Sequence, residues 1–343
     1  MNLFKRKYHH TTDGWKISQR EASSLLWTCV PVVSKLTSMN EQILIQDTLK
    51  HLAEWEYDEL TVSRESIATE LALAQDQVNR VLRDLESADL IEPGSLKLTS
   101  NGREYALHVL RAHRLYETYL ARKTGVSESQ WHVQAHIEEH KLSAADVEKL
   151  ARDLDYPRFD PHGDPIPTAA GEMPPKRGQP LADYPAGWEG RVVHVEDEPP
   201  NLYALIAAAS IAPGTVLRVV GKDDRELRIF LEGCEFRFSI TAARQITVVP
   251  LADSERFDET LVRLSSLADD EKATVVRLSP LCRGLERNRL LDLGLVPGTV
   301  VSIDLISPAG SPTAYHVRGA SIALRREQAE RVLIRKVKDQ TDE

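Results

Sequence analysis

Side chains that can bind a transition metal crowd into the stretch from His113 to His140. Its second half carries four of them at positions i, i+4, i+7 and i+8, namely His132, His136, Glu139 and His140. At about 3.6 residues per turn, this spacing places all four on one face of a helix. His113 and Glu117 repeat the i, i+4 spacing earlier in the stretch. Two such faces turned toward each other would offer imidazole and carboxylate ligands to one or two divalent ions.

An ordinary solvated helix face is the alternative explanation for this stretch. Such a face is normally rich in Lys and Glu, whereas here three histidines lie within nine positions. The HExxH pattern of a metalloprotease is absent, because no Glu directly follows His132 or His136. Nothing in the chain pairs a nucleophile with a placed base, and a site saturated with ligands leaves little open coordination. The cluster therefore indicates a metal-binding protein and not an enzyme.

Length and composition define the broad class of the protein. The chain has 343 residues, of which 42% are hydrophobic and 28% charged, enough for about two to four globular domains. A net charge of −9 argues against non-specific coating of nucleic acid but permits one DNA-reading surface. The three cysteines form no CxxC pair, which suits a reducing compartment. No secretory signal or apolar run of roughly 18 residues is present, so we expect a cytoplasmic protein without membrane insertion.

Residues 41–99 are predicted to form a winged helix-turn-helix domain. An amphipathic helix is followed by two shorter ones with a tight connection near residues 72–75, and Pro93-Gly94 then marks a turn between β-prone pieces. The second helix of the pair would enter a DNA major groove. The polar residues best placed there are Gln77, Asn79, Arg80 and Arg83. Acidic residues outnumber basic ones here, and Asp76 would repel phosphate, so a helical bundle used only for packing is the alternative.

The segments on either side of this domain differ sharply in pattern. Residues 1–40 form an extension that either packs on the body or docks a partner. Residues 100–156 have the periodicity of helices and are predicted to form an all-α metal-binding and dimerisation domain. Residues 157–180 are dense in Pro and Gly and are predicted to be a linker.

The rest of the chain is predicted to be a tandem repeat of a small β-barrel. Short stretches of period-two hydrophobicity follow Leu181, and the motif IAPGTV at 211–216 returns as LVPGTV at 295–300. We place the two barrels at residues 181–250 and 264–337. The expected fold class is therefore multidomain α+β, with a winged helix-turn-helix, an all-α domain and two small SH3-like β-barrels.

Together these pieces resemble the diphtheria-toxin-repressor family of metal-dependent transcriptional regulators. The likeness runs from about Glu41 to Pro167 and is most specific in RAHRLYETYL, HVQAHIEEHKLS and DPHGDPIP. Both barrels are similar to the ferrous-iron-transport A (FeoA) module, the second more closely, through RLLDLGLVPGTVV and YHVRGASIALRREQA. The resemblance implies a homodimer whose helical domain carries the dimer interface and the metal sites.

The resemblance also implies two sets of metal ligands, namely His113, Glu117 and His132 in one site and His136, Glu139 and His140 in the other. The family has Cys or Glu where this chain has His136, and an imidazole there suits Fe(II), Mn(II), Zn(II) or Co(II). We expect Fe(II) or Mn(II) first, with Zn(II) as a further candidate.

Two departures from the family pattern affect its use as a guide to the sites. The family takes a Met or Asp ligand from the start of its first helix, where alignment places Gln42 or Leu44. Glu41 and Asp47 are nearby but need a shift of register. In the reading helix, Ala74 and Asp76 replace small polar and Pro positions, so operator preference does not carry over.

The predicted function is a metal-dependent repressor of iron or manganese homeostasis genes, which binds a double-stranded DNA operator as a homodimer. The divalent ion would fix the spacing of the two reading helices to half-sites about 34 Å apart. The alternative is an accessory protein that regulates a metal transporter by protein contact without binding DNA. The FeoA-like barrels would then provide the contact with the protein partner.

Overall fold

The computed structural model describes residues 39–337, which divide into two compact units. The first unit comprises residues 39–113, 136–152 and 167–173, and the second comprises residues 114–135, 153–166 and 174–337. The prediction for the extension at residues 1–40 falls almost entirely outside the described range. Within that range, no helix is both long and apolar enough to cross a membrane.

The first unit contains the helix-turn-helix. Its helices are α1 (Met39–Tyr57), α2 (Arg64–Glu70), α3 (Gln75–Ser87) and the first half of α4 (Ser100–Lys123). A capping box starts α2, because the Ser63 hydroxyl accepts the Ser66 N–H and the Ser66 hydroxyl accepts the Ser63 N–H. The predicted wing is reduced to a single antiparallel bridge between Ile91 and Leu98.

An apolar core joins α1 to α3. Leu49 and Leu52 of α1 and Val78 and Leu85 of α3 are all buried in one cluster. Each of these large side chains contributes about 1.5–3 kcal/mol by leaving water. The position of α1 and the position of the candidate reading helix are therefore fixed to each other.

The metal-rich stretch from His113 to His140 includes the second half of α4 and the short helix α5 (Trp131–Glu139), and α6 (Ala144–Asp153) follows it. The boundary between the units crosses α4 after His113 and crosses α5 after Ala135. His140 lies one residue beyond the end of α5.

Two six-stranded antiparallel sheets make up most of the second unit. The first contains β1 (Gln179–Pro180), β2 (Glu189–Val195), β3 (Val216–Lys222), β4 (Glu226–Leu231), β5 (Cys234–Ser239) and β6 (Ile246–Pro250). The second contains β7 (Leu261–Arg263), β8 (Lys272–Leu278), β9 (Val300–Ile306), β10 (Thr313–Val317), β11 (Ala320–Leu324) and β12 (Val332–Lys336). Inward and outward residues alternate, as in β4, where Leu227, Ile229 and Leu231 are buried.

The two sheets have the same topology. The strand order is β1-β6-β2-β3-β4-β5 in the first and β7-β12-β8-β9-β10-β11 in the second. A helix follows the second strand of each, α7 (Pro200–Ala208) and α9 (Gly284–Asp292), and a short helix precedes the last strand, α8 (Ile240–Arg244) and α10 (Arg326–Ala329). The predicted multidomain α+β fold with a tandem barrel repeat is confirmed.

The repeated PGT motif has a structural reason. In the first barrel, Val192 donates its N–H to the carbonyl of Thr215 and accepts the N–H of Gly214. Val275 makes the same pair of bonds with Thr299 and Gly298 in the second barrel. Both glycines have positive φ, 97° and 87°, a conformation that glycine adopts most readily.

Candidate metal centres

Four ligand side chains come together in the first unit, and we call them centre one: Asp47, His136, Glu139 and His140. Asp47 Oδ1 lies 3.7 Å from His136 Nδ1 and 3.4 Å from His140 Nε2. Glu139 Oε1 lies 3.4 Å and 3.5 Å from the same two nitrogens. Neighbouring ligand atoms around a tetrahedral ion with bonds of about 2.1 Å are roughly 3.4 Å apart. The donor atoms are therefore spaced as a small divalent ion requires.

Two unsatisfied atoms support this assignment. Asp47 Oδ1 and His140 Nε2 are buried, and neither has a hydrogen-bond partner among the described residues. Buried polar atoms are rarely left without a partner, because desolvation then costs about 1–3 kcal/mol. A cation between these atoms would satisfy both, so the residues present fit a divalent metal.

Hydrogen bonds orient the ligands of centre one. His140 Nδ1 lies 2.6 Å from the Gln46 side-chain oxygen, and Gln46 in turn donates to the Tyr105 hydroxyl at 2.7 Å. A partner on the far ring nitrogen fixes the orientation of a ligating imidazole. Burial lowers the pKa of His140 to about 4, so the ring is neutral near pH 7 and able to coordinate.

Charged neighbours also surround Glu139. Its Oε1 accepts from the ammonium of Lys50 at 2.8 Å, and its Oε2 is hydrogen-bonded to His113 Nδ1. Burial alone would raise the pKa of Glu139, but the hydrogen bonds with His113 and His136 and the charge of Lys50 hold it well below its usual value. Burial raises the pKa of Asp47 despite the nearby charge of Lys50. Glu139 therefore keeps its negative charge near pH 7.

A second cluster lies in the second unit and consists of Glu117, His162 and Asp197. His132 lies beside both of its carboxylates, and we call these four residues centre two. His132 Nδ1 lies 3.4 Å from Glu117 Oε1 and 3.9 Å from Asp197 Oδ2. His162 Nδ1 lies 3.8 Å and 3.9 Å from oxygens of the same two carboxylates. Two imidazoles and two carboxylates suit Mn(II), Fe(II) or Zn(II).

The side chain of Asp160 holds the loop that carries His162. Asp160 Oδ1 accepts the N–H groups of His162, Gly163 and Asp164, each at 2.9 Å. The carbonyl of His162 also accepts the N–H of Val195 in β2. These bonds place the ring of His162 at a defined position at the start of the first barrel.

Aromatic and charged groups enclose His162. Its ring lies 6.0 Å from that of Trp131 and 5.3 Å from that of Tyr203 on α7. Burial alone would lower its pKa, but the carboxylates of Asp160, Glu117 and Asp197 together raise it above the usual value. A proton on His162 thus balances the acidic groups of centre two.

The predicted ligands are divided between the two centres. His136, Glu139 and His140 lie in centre one, and Glu117 and His132 lie in centre two. His113 is the last residue of the first unit, and its side chain is hydrogen-bonded to Glu139.

Three residues of the centres were not assigned as ligands from the sequence. The family pattern reaches Asp47 only if the alignment of the first helix is shifted, and the structure places Asp47 beside His136 and His140. His162 lies within DPHGDPIP, one of the motifs that carry the family resemblance, so the sequence could have indicated it as a ligand. Asp197 follows β2 in an irregular segment, and only tertiary structure brings it to Glu117 and His162.

The predicted DNA-reading residues lie on α3 with different surroundings. Arg80 and Arg83 are exposed. Gln77 caps its own helix by accepting the Ala74 N–H, and Asn79 accepts from Arg64 of α2 at 2.7 Å. Their role in reading bases stays a prediction.

Comparison with known proteins follows the same division of the chain. The family model "Iron dependent repressor, metal binding and dimerisation domain" matches residues 99–168, which include all predicted metal ligands. The diphtheria toxin repressor of Corynebacterium efficiens is 27% identical over 193 residues, covering 52% of this chain and 83% of that protein. The solved structure of a manganese-dependent transcriptional repressor in complex with manganese is 29% identical with a TM-score of 0.56, covering 60% of this chain and 99% of that one.

Over this region the chain is similar to the metal-dependent repressors of the diphtheria-toxin-repressor family. It also carries a FeoA domain, whose family model matches residues 262–336, the second barrel. The Fe(2+) transport protein A/FeoB fusion protein of Porphyromonas gingivalis is 32% identical over 71 residues, covering 21% of this chain and 8% of that protein. In this chain, the first barrel has the same strand order as the matched second barrel and precedes it in sequence.

Proposed function

We propose that this chain is a metal-dependent DNA-binding transcriptional repressor that acts as a cytoplasmic homodimer on iron or manganese homeostasis genes. A divalent transition metal, Fe(II) or Mn(II) first and Zn(II) next, would be its effector. Its relatives are repressors named for iron and manganese. The proposal assigns no catalytic activity to the chain.

One observation carries the proposal: centre one joins α1 to the end of α5. Asp47 comes from α1, whereas His136, Glu139 and His140 come from α5 and the residue after it. Since α1 shares its core with α3, any restraint on α1 also restrains the candidate reading helix. When bound, the ion would add ligand bonds between these two parts of the chain.

The side chains around centre one prepare that link. Gln46 orients the ring of His140, and Glu139 holds the ammonium of Lys50. The Asp47 oxygen and the His140 nitrogen that lack hydrogen-bond partners among the described residues face each other. Metal binding and operator binding are then coupled, because each favours the same placement of α1 and α3. The exposed Arg80 and Arg83 would reach the DNA from α3.

Operator binding in the presence and absence of metal tests the proposal. DNA from upstream of the chain's own coding region is titrated with full-length protein, with Mn²⁺ or with a chelator. We expect binding that requires the metal in the wild type and is lost in Asp47→Ala. Glu138→Ala is the matched control, because Glu138 is a carboxylate on α5 that pairs with exposed Lys141 and lies outside the ligand set of centre one. Equal affinity with metal and with chelator would contradict the proposal.

Two observations favour the alternative, an accessory protein that controls a metal transporter by protein contact. The segment 39–99 has thirteen acidic residues and five basic ones, which opposes phosphate binding. The FeoA domain would supply the contact surface. Metal binding at both centres without DNA binding to any upstream fragment, together with capture of the transporter, would favour this alternative.

A further inference from the structure

Lys50 stands out because it is a buried lysine inside a cluster of metal ligands. It lies on α1, one turn after Asp47, and is only 5% exposed. Its ammonium donates to Glu139 Oε1 at 2.8 Å. The same oxygen is 3.4 Å from His136 Nδ1 and 3.5 Å from His140 Nε2. Lys50 therefore binds the oxygen atom that faces the other ligands of centre one.

The charges show what this ammonium does in the metal-free protein. Asp47 and Glu139 are buried carboxylates, and unpaired buried charges are strongly unfavourable. Lys50 offsets one of the two negative charges. The net charge that attracts a divalent ion is therefore smaller than the two carboxylates alone would give.

The same ammonium also opposes a metal ion. It is fixed by burial, and a lysine ammonium has three donors and no acceptor, so it cannot itself become a ligand while charged. An ion that takes Glu139 Oε1 as a ligand shares this oxygen with a cation of like sign. A second ion nearby would be repelled by three positive charges, two from the first ion and one from Lys50, and not by two alone.

We propose that Lys50 is the built-in counter-ion of centre one, which moderates its affinity and limits it to a single divalent ion. This inference rests on the proposed function only in requiring that centre one binds metal. Lys50 is a positioning and charge-setting residue and not a ligand. Its two effects have opposite signs, because it stabilises the metal-free protein and destabilises the metal-bound one.

The opposite signs separate this role from simple packing. Replacing Lys50 by Met keeps a similar length and removes the charge. The metal-free protein should then melt at a lower temperature, because Glu139 loses its cation, while Mn²⁺ should bind at least ~10-fold more tightly. A purely structural lysine would lower both the melting temperature and the metal affinity.

The experiment uses the full chain in an Asp197→Asn background, so that only centre one keeps its ligand set. Mn²⁺ titration calorimetry and thermal melts are compared for wild-type Lys50, Lys50→Met and Lys50→Arg, which keeps the charge. Lys141→Met is the matched control, because Lys141 is an exposed lysine paired with Glu138. Lys50→Glu is added to measure stoichiometry by elemental analysis.

The expected results are tighter Mn²⁺ binding in Lys50→Met, affinity close to wild type in Lys50→Arg and Lys141→Met, and a second bound ion in Lys50→Glu. Unchanged or weaker binding in a folded Lys50→Met protein would overturn the inference. Should Lys50→Met not fold, a single ion in Lys50→Glu would overturn it as well. Failure of the wild type to bind any Mn²⁺ at centre one would instead contradict the proposed function.

Discussion

The two candidate metal centres use the same donor set but balance its charge differently. Each has two imidazoles and two carboxylates. In centre one the compensating cation is Lys50, which cannot leave. In centre two the raised pKa of His162 lets a proton serve as the cation, and this proton can be released. The difference indicates that one ligand set can be made either insensitive or sensitive to proton concentration.

The neighbours of the centres differ as well. Centre one belongs to the unit that contains the helix-turn-helix, and its ligand Asp47 sits on a helix that shares a core with α3. Centre two belongs to the unit that contains both barrels, and Tyr203 from the first barrel packs against His162. We therefore expect centre one to govern DNA binding directly and centre two to respond to the barrels.

The largest effect is expected from Glu139→Ala. This change removes a ligand and leaves Lys50 buried without its partner, a loss of about 3–5 kcal/mol in the free energy of unfolding. Metal-dependent operator binding should disappear. Denaturant unfolding measures the loss of stability, and DNA titration measures the loss of operator binding. His136→Ala changes a side chain that is 43% exposed, so it should lose operator binding but keep its stability. Equal stability of Glu139→Ala and His136→Ala would contradict the role given to Lys50.

Asp197→Ala should abolish centre two and leave centre one unchanged. Loss of a ligand should lower the metal affinity of centre two by more than the roughly 10–100-fold that is typical of residues hydrogen-bonded to a ligand. Titration calorimetry with Mn²⁺ should then show one binding event fewer than the wild type. If both events weaken together, the two centres are not separate sites.

Metal binding at centre two should depend more steeply on pH than binding at centre one. The pKa of His162 is raised, so its ring is protonated at and below that pKa and must lose the proton to coordinate. Affinity should fall by up to about tenfold per pH unit as pH decreases through this pKa. His140, with its pKa near 4, adds no such term between pH 6 and 8. Calorimetric titrations at pH 6, 7 and 8 measure both slopes, and identical slopes would remove the contrast.

The smallest effect is expected from Arg283 in the second barrel. Its guanidinium donates to the carbonyl of Pro161 at 3.0 Å and lies over the Trp131 ring, two neighbours of His162. Arg283→Met should weaken centre two by about tenfold, the lower end for an outer partner, and should leave centre one unaffected. Arg289→Met is the control, as an exposed arginine on the same helix α9. Equal metal affinities in both variants would mean that the second barrel does not support centre two.

Local patterns in the sequence predicted much of this picture. The i, i+3, i+4 spacing of His136, Glu139 and His140 depends only on helix geometry, so it was readable in advance. The repeated PGT motif likewise predicted the two barrels, because it forms a local turn in which the Thr N–H donates to the carbonyl three residues earlier, Thr215 to Ala212 and Thr299 to Val296.

The residues of the two centres that the sequence did not predict depend on long-range packing. Asp47 joins centre one only because α1 meets the end of α5, and Asp197 joins centre two only because the segment after β2 reaches His162. Lys50 looks like a surface residue of an amphipathic helix, and only its burial against Glu139 reveals its role. No periodic pattern in the sequence predicts these contacts between residues far apart in the chain.

The most direct test of the account is the Mn²⁺ affinity of the full chain, measured with and without saturating operator DNA. Coupled binding is reciprocal, so operator should tighten Mn²⁺ binding at centre one by the same factor by which Mn²⁺ tightens operator binding. In Asp47→Ala the operator should have no effect on Mn²⁺ binding. An Mn²⁺ affinity of the wild type that does not change with operator would contradict the account.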